Sequence, residues 1–250
     1  MAESGGEPRR VHQVFGEKHL FGTGFLFIII FCFLLTVKKN SNAKTQKKYL
    51  NTFTILFLMI ELIRLILLVN RDGRLAIYQL PLNLCSVPLY LYPAISLDQK
   101  DGLLKKWFMP AAFSTVMLAG LIALLIPSNI LGAELSWIPI ENNVVEITSF
   151  VFHALMIAAP LALIKLGYYK PSIKDIPKAF LFTGTFAGLA MIVNAFTNQD
   201  FLLLNYGTGS PFQFLISTSK LLYQVTMIGL GAFLISLFFI VGELLQKKTI

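Results

Sequence analysis

The chain has 250 residues, of which 56% are hydrophobic and 14% charged, with 22 phenylalanines and a mean hydropathy of +0.70. A soluble domain of this length carries about 25% charged residues, and one globular core could not bury so much apolar surface, so an ordinary cytosolic enzyme is excluded. The formal charge of +8 does not point to nucleic acid either, because the lysines and arginines fall in short runs between apolar stretches and not on one water-facing patch.

A membrane-spanning helix needs roughly 20 mostly apolar residues. Seven stretches approach that length, at 20–37, 49–69, 75–95, 107–126, 144–166, 178–197 and 212–245. The first ends in Lys38-Lys39 with no small-residue cleavage pattern and reads as a retained helix, not a signal peptide. On the sixth, Gly184 and Gly188 form a small-xxx-small pair suited to close helix packing. The last is long enough for a short interfacial helix from Pro211 to about Ser219, followed by the span.

Basic loops stay on the cytoplasmic side. Fourteen of the 21 lysines and arginines fall in 38–48, 98–106, 165–178 and the C-terminus, against five in the N-terminal tail and the loop holding Arg71 and Arg74. The expected fold is therefore all-α, a polytopic membrane helix bundle of about seven transmembrane helices with the N-terminus out and the C-terminus in. Residues 1–19 form an extracytoplasmic tail, 20–245 one membrane domain and 246–250 a cytoplasmic tail. The location this implies is a cell membrane, taken to be a bacterial cytoplasmic membrane, and the partners are membrane lipids and no nucleic acid. The oligomeric state is left open.

An ionisable group in a span costs about 2.5–3.5 kcal/mol at the centre, so each needs a reason. Glu61 and Arg64 lie three residues apart on one face of the second helix and can pair. Lys220 can snorkel to the outer interface or point inward at Glu61. In the third stretch Gln79, Asn83, Ser86 and Tyr90 recur at helical spacing as a polar stripe, while Pro81 and Pro88 loosen the helix on both sides of Cys85. Cys85 and His153 both lie about 14–15 Å below the outer ends of their helices, and Glu61 about 12 Å, at 1.5 Å rise per residue. A thiol, an imidazole and a carboxylate on one level meet the needs of nucleophilic catalysis: a base for the thiol proton and a group to orient that base. His12 and His19 sit in the tail, and no HExxH, CxxC or phosphate-loop spacing occurs, so no metal and no cofactor are expected.

Three segments then carry a family resemblance. Leu80-Pro81-Leu82-Asn83-Leu84-Cys85 is similar to the Leu-Pro-Leu-His-Leu-Cys motif of the YwaF-like integral membrane family, which shares its motifs with the vertebrate transmembrane-protein-164 group. His153 in Phe150-Val151-Phe152-His153 resembles the histidine of that family's later helix. Asn194, Asn198 and Asp200-Phe201-Leu202-Leu203-Leu204 with Pro211 resemble its Asn-rich outer motif. The resemblance implies a phospholipid acyltransferase in lipid metabolism, with Cys85 as acyl carrier, His153 as general base and acid, and a phospholipid or lysophospholipid as partner. Asn83 stands where the family has a histidine, and an asparagine can hold a carbonyl or donate to an oxyanion but cannot do acid–base work. The expected function is acyl transfer or acyl hydrolysis through a Cys85 thioester. Asn83 or Gln79 would stabilise the oxyanion, Glu61 or Glu146 would orient the imidazole, and Arg64, Asn194 and Lys220 would support the site. The alternative is a membrane binding or transport protein with an outward-facing polar solute site; a third reading has Glu61, Arg64 and Lys220 only binding helices together.

Overall fold

The structure is a computed structural model that describes residues 17–98, 102–126, 144–207 and 210–247. Residues 1–16, 99–101, 127–143, 208–209 and 248–250 lie outside them. Among the described residues there are helices and turns and no strand: α1 (Glu17–Thr36), α2 (Ala43–Asp72), α3 (Pro88–Leu97), α4 (Leu103–Leu125), α5 (Val144–Lys165), α6 (Ile176–Thr197), α7 (Phe214–Thr218) and α8 (Lys220–Lys247). Six of these helices, α1, α2, α4, α5, α6 and α8, are long and apolar enough to cross a membrane.

Local chemistry sets the helix ends. Asn42 caps α2 by accepting from the Thr45 N–H, and Gly73, at φ +73°, closes it by donating to the Val69 carbonyl from a left-handed conformation that suits glycine. α7 and α8 are separated by the extended Ser219, the short-helix-then-span arrangement expected for the last stretch. His19, expected in the tail, lies inside α1, where it is buried and bonded to the Leu124 carbonyl at 2.8 Å.

The third crossing departs from expectation. Residues 75–95 do not form one helix; the chain runs from Gly73 through two 3-10 turns, Ile77–Gln79 and Leu84–Ser86, and only Pro88–Leu97 is α-helical. Two prolines seven residues apart remove donors about two turns from each other, and Pro88 is suited to open a helix, not continue one. The segment still traverses the bundle antiparallel to α2. Phe57 meets Tyr92 with ring centroids 4.8 Å apart, Ser96 bonds Asn51, and Lys47 donates to the Ser96 and Asp98 carbonyls.

Seven crossings alternate in direction. The lysine-bearing connections gather at one end: Asn40 N–H donates to the Lys165 carbonyl at 3.0 Å, and Glu243 accepts from the Ile173 N–H at 2.8 Å. At the opposite end α1 meets the end of α4 through His19 and Thr23. The centre is α4, packed by α3, α5, α6 and α8, with 72% of its most apolar stretch buried against 11% for α8. Its Ala111, Ala112, Ala119 and Gly120 let neighbours approach closely, which is how helices associate where lipid removes the hydrophobic drive between them. The result is a polytopic helical membrane bundle.

Candidate functional site

The sequence-derived residues divide into two groups. The first lies inside the bundle. Arg64 holds Glu61 in a bidentate pair, Nε to Oε2 at 2.8 Å and Nη2 to Oε1 at 2.6 Å, both side chains largely shielded. Such a fork is the strong form of an ion pair and leaves no unpaired carboxylate in an apolar setting. Cys85 sits in the 3-10 turn that leads into α3, half-buried, against the core cluster that includes Phe57, Tyr92 and Phe152. Phe152, beside His153, meets Phe57 edge-on at 5.3 Å.

His153 is buried on α5 and its Nδ1 lies 2.6 Å from the Ser149 carbonyl. A carbonyl can only accept, so Nδ1 carries a proton, and in the neutral ring Nε2 is the nitrogen with the lone pair. Among the described residues the imidazole is therefore oriented by its own helix and not by a carboxylate, and Glu61, with both oxygens on Arg64, is engaged elsewhere. The side chain of Glu146, the other residue expected to orient the ring, lies outside the described residues. α4 presses on this position: a Cβ on Gly120 would come within 2.8 Å of the His153 carbonyl oxygen.

The second group surrounds the turn after α6, at the end away from the lysine-rich connections. Asn194 brackets Phe201, its Nδ2 donating to the Phe201 carbonyl at 2.9 Å and its Oδ1 accepting from the Phe201 N–H at 2.8 Å. Asn83 Oδ1 accepts from the Leu202 N–H at 3.3 Å, tying the broken third crossing to the same turn. Leu202 and Leu203 have φ of +59° and +57°, a left-handed conformation that costs about 1–3 kcal/mol per non-glycine residue. Tyr223 and Gln224 hold the turn by donating to the Leu203 and Leu204 carbonyls, each at 2.7 Å. Asp200 accepts from the N–H groups of Asn205 and Tyr206. Lys220 is exposed and bonds Asn205; it takes the interfacial position and does not turn inward to Glu61.

Gln79 closes the first 3-10 turn of the third crossing. Its Oε1 accepts from the Ala76 N–H at 2.8 Å, while its Nε2 is buried with no partner among the described residues. Tyr92 Oη is the second such buried polar atom, and sequence reasoning missed it because a tyrosine in an apolar run looks like core. Ser149 was missed because it acts through its carbonyl, which side-chain identity cannot signal. Tyr223 and Gln224 had a faint signal, since they follow Lys220 on the first turns of the last span.

The model of the TMEM164 family matches residues 14–241. The chain belongs to the TMEM164 family. The match runs from before α1 into α8, so the membership covers all seven crossings and not the cysteine motif alone. No curated protein and no solved structure matches the chain. This TMEM164-family protein is thus a multi-pass integral membrane protein whose apolar helices contact lipid.

Proposed function

We propose that this TMEM164-family protein moves a fatty acyl chain between phospholipids through a thioester on Cys85. The observation that supports the reading is His153, whose Nδ1–H is committed to the Ser149 carbonyl, which in the neutral ring leaves Nε2 as a base, next to Phe152 of the same core cluster that Cys85 lies against. Nε2 takes the thiol proton, the sulfur attacks the ester carbonyl of a phospholipid, and the ester C–O bond breaks as the glycerol oxygen leaves with the proton from Nε2. In the second half a lysophospholipid hydroxyl gives its proton to Nε2 and attacks the thioester, the C–S bond breaks and the thiol is restored. Water in place of that hydroxyl gives hydrolysis. The tetrahedral oxyanion needs donors held ready for it. Gln79 Nε2 is a buried donor with no partner among the described residues, and Asn83 keeps its Nδ2 while its Oδ1 serves Leu202.

The bidentate Glu61–Arg64 pair favours this reading over a solute pathway, because both carboxylate oxygens are spent within the pair. Labelling the membrane-embedded protein with an acyl-chain probe tests it. Cys85→Ala is expected to abolish labelling without loss of folding, and Cys32→Ala, at the exposed cysteine of α1, to keep it. Labelling that survives Cys85→Ala overturns the proposal.

A further inference from the structure

The turn after α6 is strained and clamped from three sides. Leu202 and Leu203 stand in succession at φ +59° and +57°, a conformation that glycine adopts freely and leucine does not. Such strain persists only where the surroundings over-determine it. Here three crossings do so. Asn194 on α6 holds Phe201 by both its N–H and its carbonyl, and Tyr223 and Gln224 on α8 donate to the Leu203 and Leu204 carbonyls. The third crossing contributes Asn83, which accepts from the Leu202 N–H.

Asn83 faces two ways. Its side chain takes the Leu202 N–H, while its main-chain carbonyl accepts from the Ser86 N–H at 2.9 Å and closes the turn in which Cys85 sits. That turn lies between Pro81 and Pro88, without the ladder of an α-helix to fix it, so contacts from other crossings set its place. The Leu202 side chain packs on the same core cluster as Leu84 and Cys85, which adds an apolar contact to the hydrogen bond. Glycine at this position would give the same backbone without strain, but also without that contact. α6 reaches the segment a second time through Phe186, whose ring centroid lies 6.2 Å from that of Tyr90, and Tyr90 Oη holds the Pro81 carbonyl.

We infer that the Phe201–Leu204 turn positions Cys85 for acylation, with Asn194, Tyr223 and Gln224 as positioning residues that act on it through Leu202 and Asn83. The inference rests on the acyl-transfer reading for what Cys85 does, and on the contacts above for what holds it.

The test uses the full chain in phosphatidylcholine nanodiscs. Tyr223→Phe removes one clamp and keeps the ring. It is expected to lower the maximal rate of Cys85 acylation with the KM for the lipid unchanged, by up to about 100-fold, the cost of a misplacement of about 1 Å. Gln224→Leu, which frees the Leu204 carbonyl, is the second clamp variant and is expected to behave alike. Adding Leu203→Gly to either variant should restore the rate, because glycine keeps the left-handed conformation without the clamp. Leu203→Ala trims the same side chain, keeps the strain and should not restore it. Clamp variants that keep the native rate, or that glycine and alanine restore equally, overturn the proposal. Alkylation by N-ethylmaleimide, read on the Cys85 peptide against that of Cys32, needs no acyl transfer. Loosening the turn is expected to raise alkylation of Cys85 severalfold and to leave Cys32 unchanged. A native chain that takes up no acyl group removes the acyl-transfer reading alone, whereas Cys85 alkylation that neither clamp variant moves removes the positioning.

Discussion

The third and fifth crossings both carry proline within apolar sequence, yet one breaks and the other does not. α5 continues through Pro160, and Ala158, Ala159 and Ala162 around it are buried against neighbouring helices. The third crossing has Pro81 and Pro88 a short distance apart, and among the polar side chains between and beside them Tyr90 Oη donates to the Pro81 carbonyl at 2.7 Å. One isolated proline bends a helix whose surroundings are dry and close-packed, whereas two prolines with hydrogen-bonding neighbours make an irregular segment affordable. Non-helical backbone at membrane depth is tolerated only where protein or a water-filled cavity shelters it. The broken crossing carries Cys85 and the continuous one His153, so the contrast sets the proposed nucleophile on an irregular turn and the proposed base on an unbroken helix.

Changes on the two crossings sharpen that contrast. The largest effect after loss of Cys85 itself is expected at His153. His153→Ala should lower the rate of acyl labelling by about 10²–10⁴, the usual worth of a positioned general base, and a labelling time course with the folded variant checks this. Asn194→Leu removes both partners of the Phe201 backbone, and each buried group left unpaired costs about 1–3 kcal/mol. Thermal unfolding should show the loss, and Leu202 and Leu203 should leave their strained conformation. Gly120→Val tests the unbroken helix: the new side chain would strike the His153 carbonyl, and overpacking of this kind costs about 1–3 kcal/mol. It should lower both stability and labelling rate, with unfolding and the labelling time course as readouts. The smallest effect is expected at Tyr90→Phe, which leaves the Pro81 carbonyl without its partner on a half-open surface and should cost about 0.5–1.5 kcal/mol. An unfolding temperature equal to that of the native chain would show that water serves that carbonyl as well.

Most of the architecture was legible in sequence because the bilayer imposes a length. Six of the seven expected spans overlap the observed helices, although α2 begins six residues earlier than expected, and the break at Ser219 falls where the last stretch was too long for one span. The third span misled because Gln79, Asn83, Ser86 and Tyr90 have helical spacing, and periodicity alone does not weigh two proline breaks against it. The Glu61–Arg64 pair was readable from an i, i+3 spacing, since both partners lie on one helix. The anchoring of His153 was not, because its partner is a main-chain carbonyl on its own helix. Nor was the turn at Phe201–Leu204, where Asn83, Asn194, Tyr223 and Gln224 come from three crossings and meet backbone groups that sequence does not label.

The central claim is that Cys85 carries an acyl group, and peptide mass spectrometry tests it most directly. The purified protein is incubated with a phospholipid bearing an isotope-labelled acyl chain, digested, and its cysteine peptides are examined before and after neutral hydroxylamine. The account predicts one labelled acyl chain on the peptide containing Cys85, removed by hydroxylamine as a thioester is. A label found on Cys32 instead, or on neither cysteine while the lipid is still turned over, would contradict it.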